Sequence, residues 1–215
     1  MELPLFPLNT VLFPGATLPI HVFEERYKLL ISHCLERRQP FGVVLIRSGN
    51  EVGGPAQPFD IGTTARIVYV QEMAEGRLNV ISVGDRRLRI LRLLHQQPYL
   101  AGEVELLQCD EGDGQLADLA ATVAALFGEY YRLTLALSDQ WARSVGLPQG
   151  AGPLSDFVAS RLPVSVWVKQ RLLETLSVQG RLEQEVDILG EAIRALTQRL
   201  AAARSLKHHS LSTLN

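Results

Sequence analysis

The hydrophobic period of this chain changes once, at the polar turn CDEGDG, residues 109–114. Before it, apolar residues fall in short runs or alternate with polar ones, as strand side chains do with their two-residue repeat. After it they recur three and four apart, as on one face of a helix. Strands followed by helices, rather than strands interleaved with helices, predict an α+β fold. The expected organisation is a β subdomain over residues 1–108 and a helical bundle over 109–215, the latter with a long final helix and a flexible tail. A length of 215 residues suits one large domain or two small ones.

In the first half, residues 2–8 and 10–13 are apolar runs cut by Pro4, Pro7 and Pro14. Proline donates no ladder bond, so these pieces are expected as edge strands or strand ends. Residues 17–23, TLPIHVF, read as another strand. A helix follows, with Tyr27, Leu30, Ile31, Cys34 and Leu35 on one apolar face, Glu24 and Glu25 in its first turn, Arg37 and Arg38 in its last, and Pro40 as its stop. On that face Cys34 is a core residue. FGVVLIR, residues 41–47, is apolar almost throughout and predicts a strand buried on both sides, followed by a Gly- and Pro-rich loop over 48–60. Strands are expected at 62–73, 77–84, 86–94 and 99–108, with hairpin turns at Glu75-Gly76 and Gly84-Asp85. Such short connections require antiparallel pairing, and several tightly linked strands around one short helix suggest a closed or half-closed barrel.

The second half opens with a helix whose face is Leu116, Leu119, Ala120, Val123, Leu126, Phe127, Tyr130, Leu133 and Leu137. A loop around Gly146 to Pro153 leads to a short helix ended by Pro163, then another from Val166 to Leu176. The last helix starts near Gly180 and carries Leu182, Val186, Leu189, Ile193, Leu196, Leu200 and Ala203 at heptad spacing. Part of this seam should pack in the bundle. Its far end, with Leu196 and Leu200, is the candidate for weak self-association or partner docking.

Composition works mainly by exclusion. Hydrophobic residues make up 47% and charged residues 20%, enough to bury a core. A net charge of −2 gives no general attraction to nucleic acid or anionic membrane. No apolar run approaches the roughly 18 residues of a membrane span, and the proline-broken start lacks the basic segment of a secretory signal. With two distant cysteines, Cys34 and Cys109, a reduced cytoplasmic protein is the expectation.

Motifs for chemistry are lacking. The sequence has no G-x-x-x-x-G-K-[ST] phosphate cradle, no G-x-S-x-G elbow, no H-E-x-x-H and no C-x-x-C. Gly112-Asp113-Gly114 and Gly150-Ala151-Gly152 do not continue into a dinucleotide fingerprint. Asp110, Glu111 and Asp113 do not match a calcium loop, and His208-His209 read as part of a polar tail. Arg86-Arg87-Leu88-Arg89-Ile90-Leu91-Arg92 is the one basic cluster. As a strand it sets Leu88 and Ile90 on one face and Arg87 and Arg89 on a charged outer face. No catalytic residue, cofactor or metal is therefore expected.

Several segments, in order, resemble Lon proteases. LPLFPLNTVLFPGATLPIHVFEERY, residues 3–27, is similar to the opening of that family, with its L-P-L-F-P-L, Pro-Gly turn, strand and F-E-x-R-Y. Gly62-Thr63 opens a strand as it does there, and Gly84 to Ile90 resembles the family's G-x-x-R-x-R-I. Pro98-Tyr99 begins a strand carrying Glu103 and Glu105, and Lys169 to Glu174, after Leu162-Pro163, resembles K-Q-x-L-L-E. The resemblance implies a PUA-like antiparallel β pseudo-barrel with one short helix, then a C-terminal α-helical bundle. It also implies a part in selecting and holding unfolded or tagged polypeptides, within protein quality control. Positions for the family's ATPase module and Ser-Lys peptidase do not exist in this sequence, so the expectation is a stand-alone, non-catalytic recognition module. The alternative is a PUA-like barrel that binds a small ligand or RNA. Glu24, Glu25, Arg26 and Tyr27, at the start of a helix in the segment most like the family, are the candidate partner contacts.

Overall fold

A computed structural model describes residues 1–53, 56–94, 98–110, 116–138, 140 and 145–212, with side chains through residue 202. Six strands form one sheet: β1 (Glu2–Leu8), β2 (Thr17–Val22), β3 (Phe41–Gly49), β4 (Ala56–Glu72), β5 (Leu78–Leu94) and β6 (Ala101–Leu106). Helix α1 (Glu25–Arg37) lies between β2 and β3, and α2 (Leu116–Leu137), α3 (Ala151–Arg161), α4 (Val166–Glu174) and α5 (Val178–Ser212) follow. The strand order is β2-β5-β4-β3-β1-β6, and a further β5–β6 pairing closes β5, β4, β3, β1 and β6 into a ring. All pairings are antiparallel except β1 with β3, whose parallel pairing uses β2 and α1 as the crossover.

The prolines of β1, expected in edge strands or at strand ends, sit in a strand paired on both sides, each at the end of a pairing. The Leu5 N–H donates to Leu100 O at 2.8 Å, so odd-numbered amides of β1 face β6 and even-numbered ones face β3. Pro4 would point a donor towards β3, but that pairing begins only at Leu5. Pro7 would point one towards β6, whose pairing covers Glu2 to Pro4. Each proline stands where its neighbour has ended or not begun, so neither costs a ladder bond.

The expected hairpin at Gly84-Asp85 is absent, and β5 runs straight through it. Thr63 pairs with Arg87 and Ala65 with Gly84, leaving Asp85 and Arg86 as a bulge. The Thr64 hydroxyl closes it, accepting from Arg86 N–H at 3.1 Å and donating to Arg86 O at 3.2 Å. Gly84 is required for close approach instead of a turn. A Cβ there would lie 2.3 Å from Phe13 O, and Gly84 O accepts from Gly15 N–H at 2.8 Å. Residues 10–13 are accordingly a packed turn rather than a strand, with Leu12 and Phe13 buried and Leu12 O accepting from Thr63 Oγ1 at 2.6 Å. Residues 56–60, expected as loop, already belong to β4.

Both faces of β1 are covered. Phe6 and Leu8 join Tyr27, Leu30, Ile31 and Cys34 of α1, with Phe41, Val43 and Val80, in one cluster. Leu3 and Leu5 join Val44, Leu88 and Val104 in another. Cys34 is buried as expected, but Leu35 is exposed, one position off the buried stripe. The chain divides into two compact units, Met1–Asp110 with Ala159–Leu176, and Glu111–Val158 with Ser177–Asn215. Helix α4, which the sequence places in the helical half, groups with the sheet. Gln170 Nε2 donates to Ile61 O at 2.9 Å, and Asp110 N–H to Leu176 O at 3.0 Å. Arg87 corrects a second expectation: it is 2% exposed, not on an outer face, and its Nε donates to Leu173 O at 2.9 Å.

In the second unit α2 and α5 pack together, with Val123, Phe127, Leu182 and Leu189 buried. The seam of α5 is not purely apolar, since Arg181 and Glu185 are both buried beside it. The backbone of α5 continues helical to Ser212, where a flexible tail was expected. Residues 111–114 of the turn expected at 109–114, and the side chains of Ala203, His208 and His209, lie outside the described residues.

Candidate functional site

The start of α1 brings three of the four candidate contacts together. Glu24 is the residue before the helix, in extended conformation, and its side chain makes no cap bond to the helix. It turns instead to Arg26, whose Nη2 lies 3.0 Å from Glu24 Oε2, and to the Gly53 N–H at 3.3 Å. Arg26 also donates to Glu51 O at 3.3 Å, and its guanidinium lies 4.5 Å from the centre of the Tyr27 ring. The Glu51 carboxylate accepts from Asn9 N–H at 3.1 Å. These bonds fasten the segment 51–53 and the chain at Asn9 to the helix start.

Tyr27 stacks on Phe6 with ring centres 4.1 Å apart, so its ring belongs to the core. Burial pushes its phenol above the usual range, the Arg26 charge pulls the other way, and the Glu24 and Glu51 carboxylates add to the rise. The hydroxyl therefore stays protonated at neutral pH. Glu25 is not part of this group. It points to solvent and pairs with Lys28 one turn on, at 2.8 Å.

Beside these residues lies a groove of about 190 Å³. Its floor is Phe6, Leu8, Leu18, Ile20, Val22 and Tyr27, and its rim His21, Phe23, Glu24, Glu51 and Val52. Phe23 and Val52 are about half exposed, at 49% and 55%. In the sequence Phe6, Phe13 and Phe23 are each open to a core or a surface role; Phe6 and Phe13 are buried, whereas Phe23 stands on the rim. Alternation in TLPIHV does mark Leu18 and Ile20 as one face of a strand, but not that the face is only partly covered. Nothing local in the sequence marks Glu51 or Val52.

Two other features lie in the same unit. A polar cleft of about 290 Å³ is lined by Glu2, Leu3, Pro4, His33, Arg37, Gln39 and Tyr99. An aromatic patch joins exposed Trp167 to Phe59, with ring centres 5.8 Å apart and Arg47 stacked 4.7 Å above Phe59. The basic strand offers little free charge, because Arg89 pairs with Glu105 at 2.9 Å and Arg92 with Glu103 at 3.4 Å. Leu196 and Leu200 on α5 are half-buried. Among the described residues no group of three His, Cys, Asp or Glu side chains is placed to hold a metal, and no helix is long and apolar enough to cross a membrane.

Comparison with known proteins agrees with this architecture. Residues 2–191 match the family model for the ATP-dependent protease La (LON) substrate-binding domain. The Lon protease of Anaeromyxobacter dehalogenans (strain 2CP-C) is 30% identical over 191 residues, which are 87% of this chain and 23% of that protein. The Lon protease of Syntrophus aciditrophicus (strain SB) is 28% identical over 201 residues, 90% of this chain and 25% of that protein. The chain thus spans 23% to 25% of the length of these relatives. Among solved structures, a Lon N-terminal domain protein from Xanthomonas campestris superposes with a TM-score of 0.65 at 31% identity, covering 86% of this chain and 96% of that one. The N-terminal domain of Mycobacterium avium complex Lon protease shares the fold, with a TM-score of 0.66 at 18% identity over 88% of this chain and 98% of that one. Matched from residue 2 to residue 191, with its sheet and helices superposing on Lon N-terminal domains, the chain belongs to the family of Lon substrate-binding domains.

Proposed function

We propose that this chain is a non-catalytic module that recognises unfolded or tagged polypeptide in protein quality control in the cytoplasm, and that the groove beside α1 is its binding site. The observation that carries the reading is an apolar floor, Phe6, Leu8, Leu18 and Ile20, left partly open beneath an exposed aromatic, Phe23. A monomer gains nothing from such surface unless something covers it. The ionisable groups at the rim hold one another and the neighbouring backbone, Glu24 with Arg26 and Glu51 with Asn9 N–H. That arrangement builds a wall; it does not activate a nucleophile or set a proton donor against a proton acceptor. The relatives' family description, a substrate-binding domain, supports the same reading. RNA binding is disfavoured by the cross-strand pairing of Arg89 and Arg92 and the burial of Arg87. Weak self-association through α5 belongs to the same proposal, since Leu196 and Leu200 keep apolar surface in water.

The test uses a permanently unfolded protein, reduced and carboxymethylated α-lactalbumin, as the probe. Phe23→Ala should weaken its capture about fivefold or more, the loss typical of an anchoring side chain at an interface. Ile20→Ala should act in the same direction. Leu35→Ala, exposed on α1 but away from the groove, should leave capture unchanged. Equal capture by all three variants would remove the groove from consideration.

A further inference from the structure

One side of the groove is an open sheet edge. β2 ends the strand order and pairs with β5 alone. Ala16 O accepts from Gly84 N–H at 2.9 Å and Leu18 O from Ser82 Oγ at 3.3 Å, so even-numbered carbonyls here face β5. Peptide groups alternate along a strand, so the N–H and C=O of Thr17 and His21, and the C=O of Pro19, face away from the sheet. Among the described residues no hydrogen bond reaches these groups, and the side chains of all three residues are exposed. Leu18 and Ile20 turn the other way, half-buried against the core and lining the groove.

We propose that the groove takes an extended polypeptide segment as an added strand on β2, with alternate apolar side chains set down on its floor and a lysine or arginine at the Glu24 end. This rests on the reading of the groove as a polypeptide site and states how the chain is held. The carboxylates of Glu24 and Glu51 stand at that end against the single guanidinium of Arg26, which leaves a negative excess. Unsatisfied backbone groups in a row fit a partner whose own amides are unpaired, which an unfolded segment has and a helix lacks. A second copy of β2 fits the edge poorly. Pro19 brings no donor to the ladder, so pairing two such edges would leave gaps on both. The same gap keeps capture of a client weak and reversible.

The probe is a seven-residue peptide alternating leucine with threonine, with lysine at each end and both termini blocked. Binding is measured by calorimetry to the full chain. Two further peptides carry N-methyl groups on the even-numbered or the odd-numbered amides. Only one set can face β2, so one peptide should bind about tenfold weaker, the loss of one or two backbone hydrogen bonds, and the other like the parent. Exchange of both lysines for glutamate should weaken binding severalfold at low salt, an effect that fades as salt rises. Equal losses from the two N-methyl sets, or no loss from the charge exchange, overturn strand addition while leaving the groove as the site. Parent binding that ignores Phe23→Ala, or no binding at millimolar peptide, overturns the groove reading itself.

Discussion

Cys34 shows how much one buried side chain can say about its surroundings. It lies 2% exposed among Tyr27, Leu30 and Ile31, and burial pushes its thiol from an ordinary 9.0 up to about 12. In the unfolded chain the same thiol ionises near 9. The folded state therefore holds a proton that the unfolded state releases between these values. Its contribution to stability is complete below pH 9 and is lost as pH rises towards 12. Each unit in that window costs roughly 1.4 kcal/mol. Tyr27 and Tyr99, whose phenols burial also raises, act in the same direction higher in the range. Urea unfolding at pH 7, 9, 10 and 11 should show flat stability to pH 9 and a decline beyond it. Cys34→Ala should flatten the first part of the decline. A variant with the same alkaline slope as the parent would mean that the thiol meets water in the folded state.

At the scale of elements, α5 combines what its pattern announces with what it hides. Leu182 and Leu189 are buried where the heptad spacing puts them, but one position before Leu182 is Arg181, fully buried, and one turn on is Glu185, also fully buried. Ser155 of α3 stands between them, accepting from Arg181 Nε at 3.1 Å and donating to Glu185 Oε1 at 2.8 Å, while Asp156 lies 3.8 Å from Arg181. Arg181→Ala would leave the Glu185 and Asp156 carboxylates buried without this cation, at a cost of about 3 to 5 kcal/mol. Arg181→Met with Glu185→Leu and Asp156→Asn removes all three charges and should cost much less. Thermal unfolding of the single and triple variants decides it, and equal losses would show that shape and not charge sets the stability. Periodicity reports only which face is turned inward. The faces of α1 and α2 were legible because each is an apolar stripe turned to the core. The buried Arg181, Glu185 and Arg87 were not, because their partners lie 22 or more positions away in sequence. The same limit explains β5. A Gly-Asp pair is a turn signal on local grounds; the pairing with β4, closed by Thr64 on Arg86, makes it a bulge, and the distant Phe13 carbonyl requires the glycine. Of the groove, the Glu24–Arg26–Tyr27 corner could be marked from the helix start, whereas its apolar floor follows from where β2 stands in the sheet.

For the whole molecule, the consequence of these distant contacts is that the β unit is discontinuous in sequence. A boundary near residue 110 follows from the change of period, yet the compact unit that holds the sheet also takes in Ala159–Leu176. This segment supplies Leu173 O to the Arg87 guanidinium, Gln170 to Ile61 O, Leu176 O to the Asp110 N–H, and Trp167 to the Phe59 ring. A fragment of residues 1–110 keeps every strand of the ring but loses all four contacts. Three hydrogen bonds at about 1 kcal/mol each, one of them to a buried cation, put the expected loss near 3 kcal/mol or above. That is a large share of the roughly 5 to 15 kcal/mol that holds a domain together. Joining Ala159–Leu176 to the fragment through a flexible Gly-Ser linker should restore much of it. The measurement is the urea midpoint by circular dichroism, for the fragment, for the linked fragment and for the full chain. The linked fragment should unfold well above the bare one, and Arg87→Ala should erase much of the difference, since the guanidinium is what Leu173 O holds. Equal midpoints for the two fragments would show that the strands of the ring suffice alone, and that Arg87 is buried by the sheet without help from α4.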